Sequence, residues 1–375
     1  MAQKDEGKPP AVAAAPRQAG EARDRWWWVE RCLWTERLWS RLGSTEAPAK
    51  VWFRLMDKVS APAHLQRALA AVWKNRGSAG VDGQTVGQFD AHAEAELARL
   101  HEQLREGTDR PHPARRVWIP KPGRSEQRPL GLPAVRDRVG PSARRHVVEP
   151  IFETEFAGPS HGFRPGRGCK DARRRVDALL QSGHVWVVDA DLKSYFDTIP
   201  HDRLLALVKE RIADGRVLAL VESYLRAGVL AELQSWPPTE RGTPPGAVIS
   251  PLWANLYLNP LDHPMEKSGW ALVRYADDFV ILCRTEAEAQ TALAPVRAWV
   301  TEAGLTLPPT KTRIVDARAP GGFDFLGYPF ERGRKWPRRK SLDQLRERRR
   351  AKRRRTDGRS LKALLGDVNV SRRGW

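Results

Sequence analysis

Three cysteines in 375 residues, Cys32, Cys169 and Cys283, are too few and too scattered for a disulfide framework or a zinc site. No run of 18 apolar residues occurs, so no membrane-spanning helix is expected, and the polar N-terminus does not read as a signal peptide. The nine histidines fall into no Ser-His-Asp or Cys-His arrangement, and His146 and His201 lie on helical stretches and read as structural. The glycine-rich run over 77–83 lacks a following Lys-Ser/Thr and is therefore not a nucleoside-triphosphatase P-loop. No internal repeat is present. These absences exclude disulfide-framed secreted proteins, membrane spans, nucleophilic hydrolases and P-loop enzymes. They leave a reduced, cytoplasmic protein as the expectation.

One thing is in excess. Lys and Arg number 64 against 45 Asp and Glu, a formal charge of +19, which calls for a polyanionic partner and most often nucleic acid. The length allows two or three units with at least one sizeable core. Residues 1–22, rich in Ala, Pro, Lys and Glu, read as a disordered leader. Residues 23–42 read as a Trp-rich amphipathic helix packing on the body. Helix is expected over 51–76, with Val51, Phe53, Leu55, Met56, Leu65, Leu69, Val72 and Trp73 as core positions, and again over 84–106.

A basic hairpin follows, with strand 117–120, Lys121 near one end and Arg128 near the other; such cations suit a triphosphate. Residues 134–157 read as helix interrupted at Gly140-Pro141. A second basic glycine loop, 162–168, leads into helix 170–181. The apolar strand 185–192 ends in acids, and strand alternation puts Asp189 and Asp191 on one face; local sequence leaves open which of them acts. Helices are expected over 201–213, 216–227, 249–260 and 286–303, with an extended segment over 230–236. A strand starts at Lys311, a strand-turn element spans 323–328, and a helix over 360–368 ends the chain. Alternating helices and short strands over 117–330 predict an α+β (mixed α/β) body.

The stretch that organises this body is Tyr275-Ala276-Asp277-Asp278, flanked by the apolar runs 271–273 and 279–282. It reads as strand, tight turn, strand. An Asp pair at a hairpin tip is ordinarily a solvated turn. At the end of buried strands in a basic protein it instead suggests a divalent metal site facing phosphate. Nucleotidyl transfer needs such a site, because two Mg²⁺ ions about 4 Å apart stabilise both the attacking and the leaving oxygen. Mg²⁺ keeps waters and takes few carboxylates, so two or three Asp from neighbouring strands suffice.

Tyr275-Ala276-Asp277-Asp278 resembles the Tyr-X-Asp-Asp box of reverse transcriptases. The ordered blocks at 78–83, 119–122, 128–131, 135–139, 149–153, 162–167, 189–197, 248–251 and 322–327 resemble those of group II intron-encoded reverse transcriptase/maturases of bacterial type. Together they cover roughly 50–330. The resemblance implies a right-hand polymerase with fingers and palm (111–333), a helical N-terminal extension (23–110), and a basic partial thumb (334–375) read as truncated. It implies an RNA-directed DNA polymerase with two Mg²⁺ ions on Asp191, Asp277 and Asp278, which settles the choice against Asp189. Deoxynucleoside triphosphate would be held by Lys121, Arg128, Phe196, Leu192, Pro245, Gly246 and Lys311, with Phe196 excluding a ribose 2′-hydroxyl. Intron RNA template and DNA primer or target would meet Gly80, Gly83, Arg164, Tyr275, Leu326 and Gly327. The charge run of the tail, with Arg348, Arg349, Arg350, Arg353 and Arg354, is expected on RNA.

The chain departs from the family in two places. Pro245 stands where the family has Gln and offers neither a side-chain amide nor an N–H. Pro141 falls inside an expected helix, at a cost of roughly 3 kcal/mol unless the helix begins there. These departures and the short thumb define a second reading, an RNA-binding splicing factor or decayed intron copy without polymerase activity. A nucleotide cyclase, another two-metal palm enzyme, does not account for the fingers blocks.

Overall fold

The N-terminal block is helical because its apolar residues recur at helical spacing. The computed structural model describes residues 28–29, 42, 51–75, 77–120, 127–227, 229–230, 240–243, 247–352 and 360–374. The expected leader and most of the Trp-rich helix lie outside the described residues; Trp28, Val29 and Leu42 pack on the core. α1 (Met56–Val59) and α2 (Pro62–Asn75) precede α3 (Val86–Ala91) and α4 (Ala93–Glu106). Leu65, Ala68, Leu69 and Val72 form the buried stripe of α2, and Leu97, Leu100 and Leu104 that of α4. Each stretch expected as one helix is two, broken at Ser60-Ala61 and at His92. Phe53 and Trp73, expected in the core, are 60% and 49% exposed: Phe53 precedes α1, and Trp73 lies at the rim of the groove between α2 and α4.

β1 (Ala114–Pro120) and β2 (Gln127–Leu132) form the expected hairpin, with Val117 opposite Leu130 and Ile119 opposite Arg128. The short β4 (Val229–Leu230) joins β1 in parallel. α5 (Arg136–Glu153) does not stop at Gly140-Pro141 but runs through both Pro141 and Pro150. Burial outweighs the prolines: Val139, Ala143, Val147, Val148, Ile151 and Phe152 are all within the core. At roughly 1.5–3 kcal/mol per large apolar side chain, that burial exceeds the cost of two interior prolines.

α6 (Cys169–Gln181), β3 (Trp186–Asp191), α7 (Tyr195–Thr198), α8 (His201–Lys209) and α9 (Gly215–Arg226) follow. α8 ends earlier than expected because the chain over 211–213 pairs with Trp52 instead: Trp52 N–H donates to Arg211 O (2.7 Å) and Ala213 N–H to Trp52 O (2.9 Å). Asp214 caps α9 and also receives the backbone N–H groups of Leu55 and Met56, at 2.7 and 3.0 Å, which ties α1 to α9. α10 (Ser250–Lys267) runs seven residues past its expected end at 260, through Pro260 and Pro264, with Leu258, Leu261 and Met265 buried.

The central sheet has the order β5 (Ala271–Tyr275), β6 (Asp278–Cys283), β3, β7 (Arg313–Asp316), all antiparallel. Its period-2 alternation is strict. Val188, Leu272, Phe279 and Ile281 face the main core with α10 and α11 (Glu286–Glu302). Val187, Val273, Val280 and Leu282 face a second core. That core includes Ala172, Val176 and Leu179 of α6, with Phe323, Phe325 and Phe330 from β8 (Phe323–Phe325) and β9 (Tyr328–Glu331). β10 (Arg334–Lys335) completes the smaller sheet. α12 (Arg339–Lys352) and α13 (Leu361–Gly374) close the chain, the latter longer than the expected 360–368. The main core runs from Leu42 to Leu305, so the N-terminal helices share it with the central sheet and the helices packed on it.

Candidate active site

Register decides what the acids do. In β3–β6 pairing Asp191 lies directly opposite Asp278, and Asp278 in turn opposes Tyr275 of β5. Alternation places Asp189, Asp191, Tyr275 and Asp278 on the face shared with Val187, Val273 and Val280. Like charges opposed across an antiparallel pair are destabilising. Burial, together with Asp189, Asp191 and Asp277, pushes the Asp278 carboxyl up to about 7, while a backbone hydrogen bond from Leu326 works the other way. Burial raises Asp277 as well, with Asp191 adding to it. Lys311 Nζ donates to Asp191 Oδ2 at 2.5 Å, and Arg313 pairs with Asp189 at 2.9 Å.

A divalent cation would relieve this crowding of carboxylates. Among the described residues no three acidic, His or Cys side chains close around one point. An ion here would therefore be shared between carboxylates, water and a bound phosphate, the ligand set Mg²⁺ favours. Asp191, Asp277 and Asp278 fit that role, with Lys311 on Asp191 and Arg313 on Asp189 balancing part of the negative charge.

The hairpin turn is held from the opposite face. Arg274, between two acid-face residues, points into the main core and is fully buried. It pairs with Asp262 of α10, Nε to Oδ1 at 2.8 Å, and donates to Asn255 Oδ1 (3.0 Å), Ser160 Oγ (2.8 Å) and Ala276 O (2.9 Å). The last bond fixes the turn itself. Gly162 lies against the same turn so closely that a Cβ would sit 2.4 Å from Ala276 N, and Asn255 Nδ2 donates to Gly162 O at 2.7 Å.

Among the described residues six non-glycines have a left-handed backbone, and four of them border this site: Phe163, Ser194, Ala276 and Leu326. Such strain persists only where the surroundings over-determine it, and it concentrates at active sites.

Residues 119–330, more than half of the chain, match the reverse transcriptase (RNA-dependent DNA polymerase) family. This chain belongs to that family. It is 33% identical over 321 residues to Protein YkfC of Escherichia coli (strain K12), covering 75% of this chain and 84% of that protein. It is 35% identical over 219 residues to the group II intron-encoded protein LtrA of Lactococcus lactis subsp. cremoris, covering 58% of this chain but only 36% of LtrA. Among solved structures, telomerase from Candida albicans covers 77% of this chain and is itself covered over 58%, with a TM-score of 0.47 at 13% identity. The mixed α/β architecture and the RNA-directed DNA polymerase class read from the sequence stand on the family match, and the intron-type resemblance is shared with LtrA.

The remaining expected site residues of this reverse transcriptase divide into three groups. Some gather at the acid edge. Leu326 and Gly327 form the β8–β9 turn beside Asp278, and Leu192 is buried just beyond Asp191. Phe196 on α7 is half-buried, next to Tyr195, whose hydroxyl donates to Ala254 O at 2.6 Å. Others are placed away from that edge. Arg164, expected on template, is buried; its guanidinium is engaged by Glu153, Ala157 O and Ser160 O, so it braces the loop instead. Gly80 packs against the backbone of Ala134, and Gly83 is an exposed turn. Arg128 takes its place in β2, and Arg348, Arg349 and Arg350 are exposed on α12. Lys121, Pro245, Gly246, Arg353 and Arg354 lie outside the described residues, as does most of the segment expected as extended over 230–236. Sequence reasoning missed Arg274. Its signal was a charged residue inside an apolar strand, which demands a buried partner.

Proposed function

We propose that this reverse transcriptase extends a DNA primer on an RNA template through Mg²⁺ held by Asp191, Asp277 and Asp278. The observation that supports the reading most is the register that sets Asp191 against Asp278 with Asp277 in the adjoining turn. When bound, two Mg²⁺ supply charge stabilisation for the attacking and leaving oxygens. The chain's own residues do the rest. Asp191 and Asp278 hold their carboxylates side by side, and the Arg274 contact to Ala276 O keeps the turn from relaxing. Lys311 is placed to exchange its Asp191 partner for a triphosphate oxygen. Phe196 presents a half-buried ring where the sugar would lie, and a flat wall excludes one extra oxygen without a hydrogen bond.

The template is, on this reading, a group II intron RNA, as the likeness to LtrA suggests. The exposed arginines of α12 add phosphate contacts that also serve splicing of that RNA. No described helix is long and apolar enough to cross a membrane, and a cytoplasmic, nucleic-acid-associated protein accords with the reading.

The test is primer extension on an RNA template with Mg²⁺. The native chain should give product, and Asp277→Ala should abolish it while RNA affinity stays within about tenfold, since phosphate contacts dominate that affinity. RNA binding without extension by the native chain would favour the splicing-factor reading. An Asp277→Ala variant that polymerised at the native rate would contradict the metal assignment.

A further inference from the structure

Phe163 has no role in the core and yet is held in a costly conformation. Its φ is +57°, which a bulky residue rarely adopts, and the residue is 44% exposed. The residues beside it leave it no choice. Gly162 is pressed against Ala276 and bonded to Asn255, and Arg164 is buried on Glu153. With both neighbours pinned, the Phe163 ring projects over the acid edge. Its centroid lies 6.1 Å from that of Tyr275 and 6.5 Å from that of Phe196, the latter pair edge to face at 81°. Both separations fall in the range of attractive ring contacts.

Phe196 needs such support. It sits on a helix of four residues, half-buried, with Tyr195 as its only other ring neighbour among the described residues. A wall that must reject a single hydroxyl discriminates well only if it cannot give way, because an apolar pocket by itself separates such isosteres weakly.

We propose that Phe163 is a specificity-determining residue for the incoming nucleotide. Its ring backs Phe196 and Tyr275, and so fixes the wall that separates deoxyribonucleoside from ribonucleoside triphosphates. This rests on the reading of Phe196 given above. Phe163 acts through its neighbours and is a positioning residue.

The test is single-nucleotide extension by the full chain on an RNA template, with a deoxyribonucleotide and with the matching ribonucleotide. The variants are Phe163→Gly, Phe163→Leu and Phe196→Ala. Glycine tolerates the left-handed backbone, so Phe163→Gly should melt no lower than the native protein while its discrimination in kcat/KM falls roughly tenfold. Phe163→Leu keeps apolar bulk without a ring edge and should fall between; it carries the test if the glycine variant does not fold. Phe196→Ala should lose discrimination most. If Phe196→Ala loosens it while both Phe163 variants match the native enzyme, the inference is overturned and the Phe196 reading survives. If Phe196→Ala changes nothing, both fall together.

Discussion

Two hairpins of this reverse transcriptase share a topology and differ in everything that surrounds them. β5–β6 carries the acids and has no freedom: both its faces are covered, and its turn is bonded from beneath by Arg274 and pressed from the side by Gly162. β1–β2 leads to Lys121 and holds Arg128, the expected triphosphate cations; Trp118 is 50% exposed, and among the described residues the two-residue β4 is the one further strand that pairs with it. The half of a polymerase site that holds metal must be set before substrate arrives, because misplacement of about 1 Å can cost a hundredfold in rate. The half that grips a departing and arriving nucleotide must move. On the function proposed above, the first is built from buried polar contacts and the second from a strand pair whose described residues include the exposed Trp118.

The largest break in that comparison comes from Arg274→Ala. It leaves Asp262 buried without its partner and frees Ala276 O. Breaking a buried pair from one side costs about 3–5 kcal/mol. Denaturant unfolding should show a loss of that size, and primer extension should fall roughly a hundredfold in variant molecules that remain folded. Arg274→Lys restores charge but not the fork and should recover only part of the activity. Native extension by Arg274→Ala would mean the turn holds its shape unaided.

Arg274 also shows where sequence reading stops. The acids were legible because strand alternation is local: Asp189 and Asp191 had to share a face, and the apolar runs around 275–278 had to be a hairpin. The opposition of Asp191 to Asp278 was not, since register between β3 and β6 is set across nearly ninety residues of chain. Arg274 and Asp262 are twelve positions apart and meet only because α10 packs under β5. The prolines of α5 and α10 misled for a related reason. Propensity charges each of them locally, while the burial that outweighs it, such as Phe152 against Trp253, lies elsewhere in the chain. Arg164 looked like a nucleic-acid contact in a basic loop, and only its burial on Glu153 shows that it holds the loop together.

A smaller effect is expected from Gly162→Ala. The added Cβ would meet Ala276 N at 2.4 Å, a backbone atom that cannot swing aside. Overpacking of this kind costs about 1–3 kcal/mol. The displacement falls on the turn that carries Asp277, so extension should drop by roughly tenfold, read in kcat more than in nucleotide KM. A change confined to KM would place the strain on the proposed nucleotide wall instead of the turn that carries Asp277.

The smallest effect should come from the open hairpin. Trp118 is half-exposed on β1 opposite Pro129, and its one described aromatic contact is with Arg116, 6.0 Å from the ring centroid. An exposed cation–π contact at that range contributes about 0.5–1 kcal/mol at most. Trp118→Ala should therefore change unfolding free energy by no more than about that amount, with extension near the native rate at saturating nucleotide. The ring lies on the strand that leads to Lys121, so any loss should show as a nucleotide KM raised by a few-fold, about what a contact of that strength allows. A stability loss as large as that of Gly162→Ala would erase the contrast between the hairpins. It would mean that Trp118 is a packing residue, and that β1–β2 is as fixed as the strand pair that carries the acids.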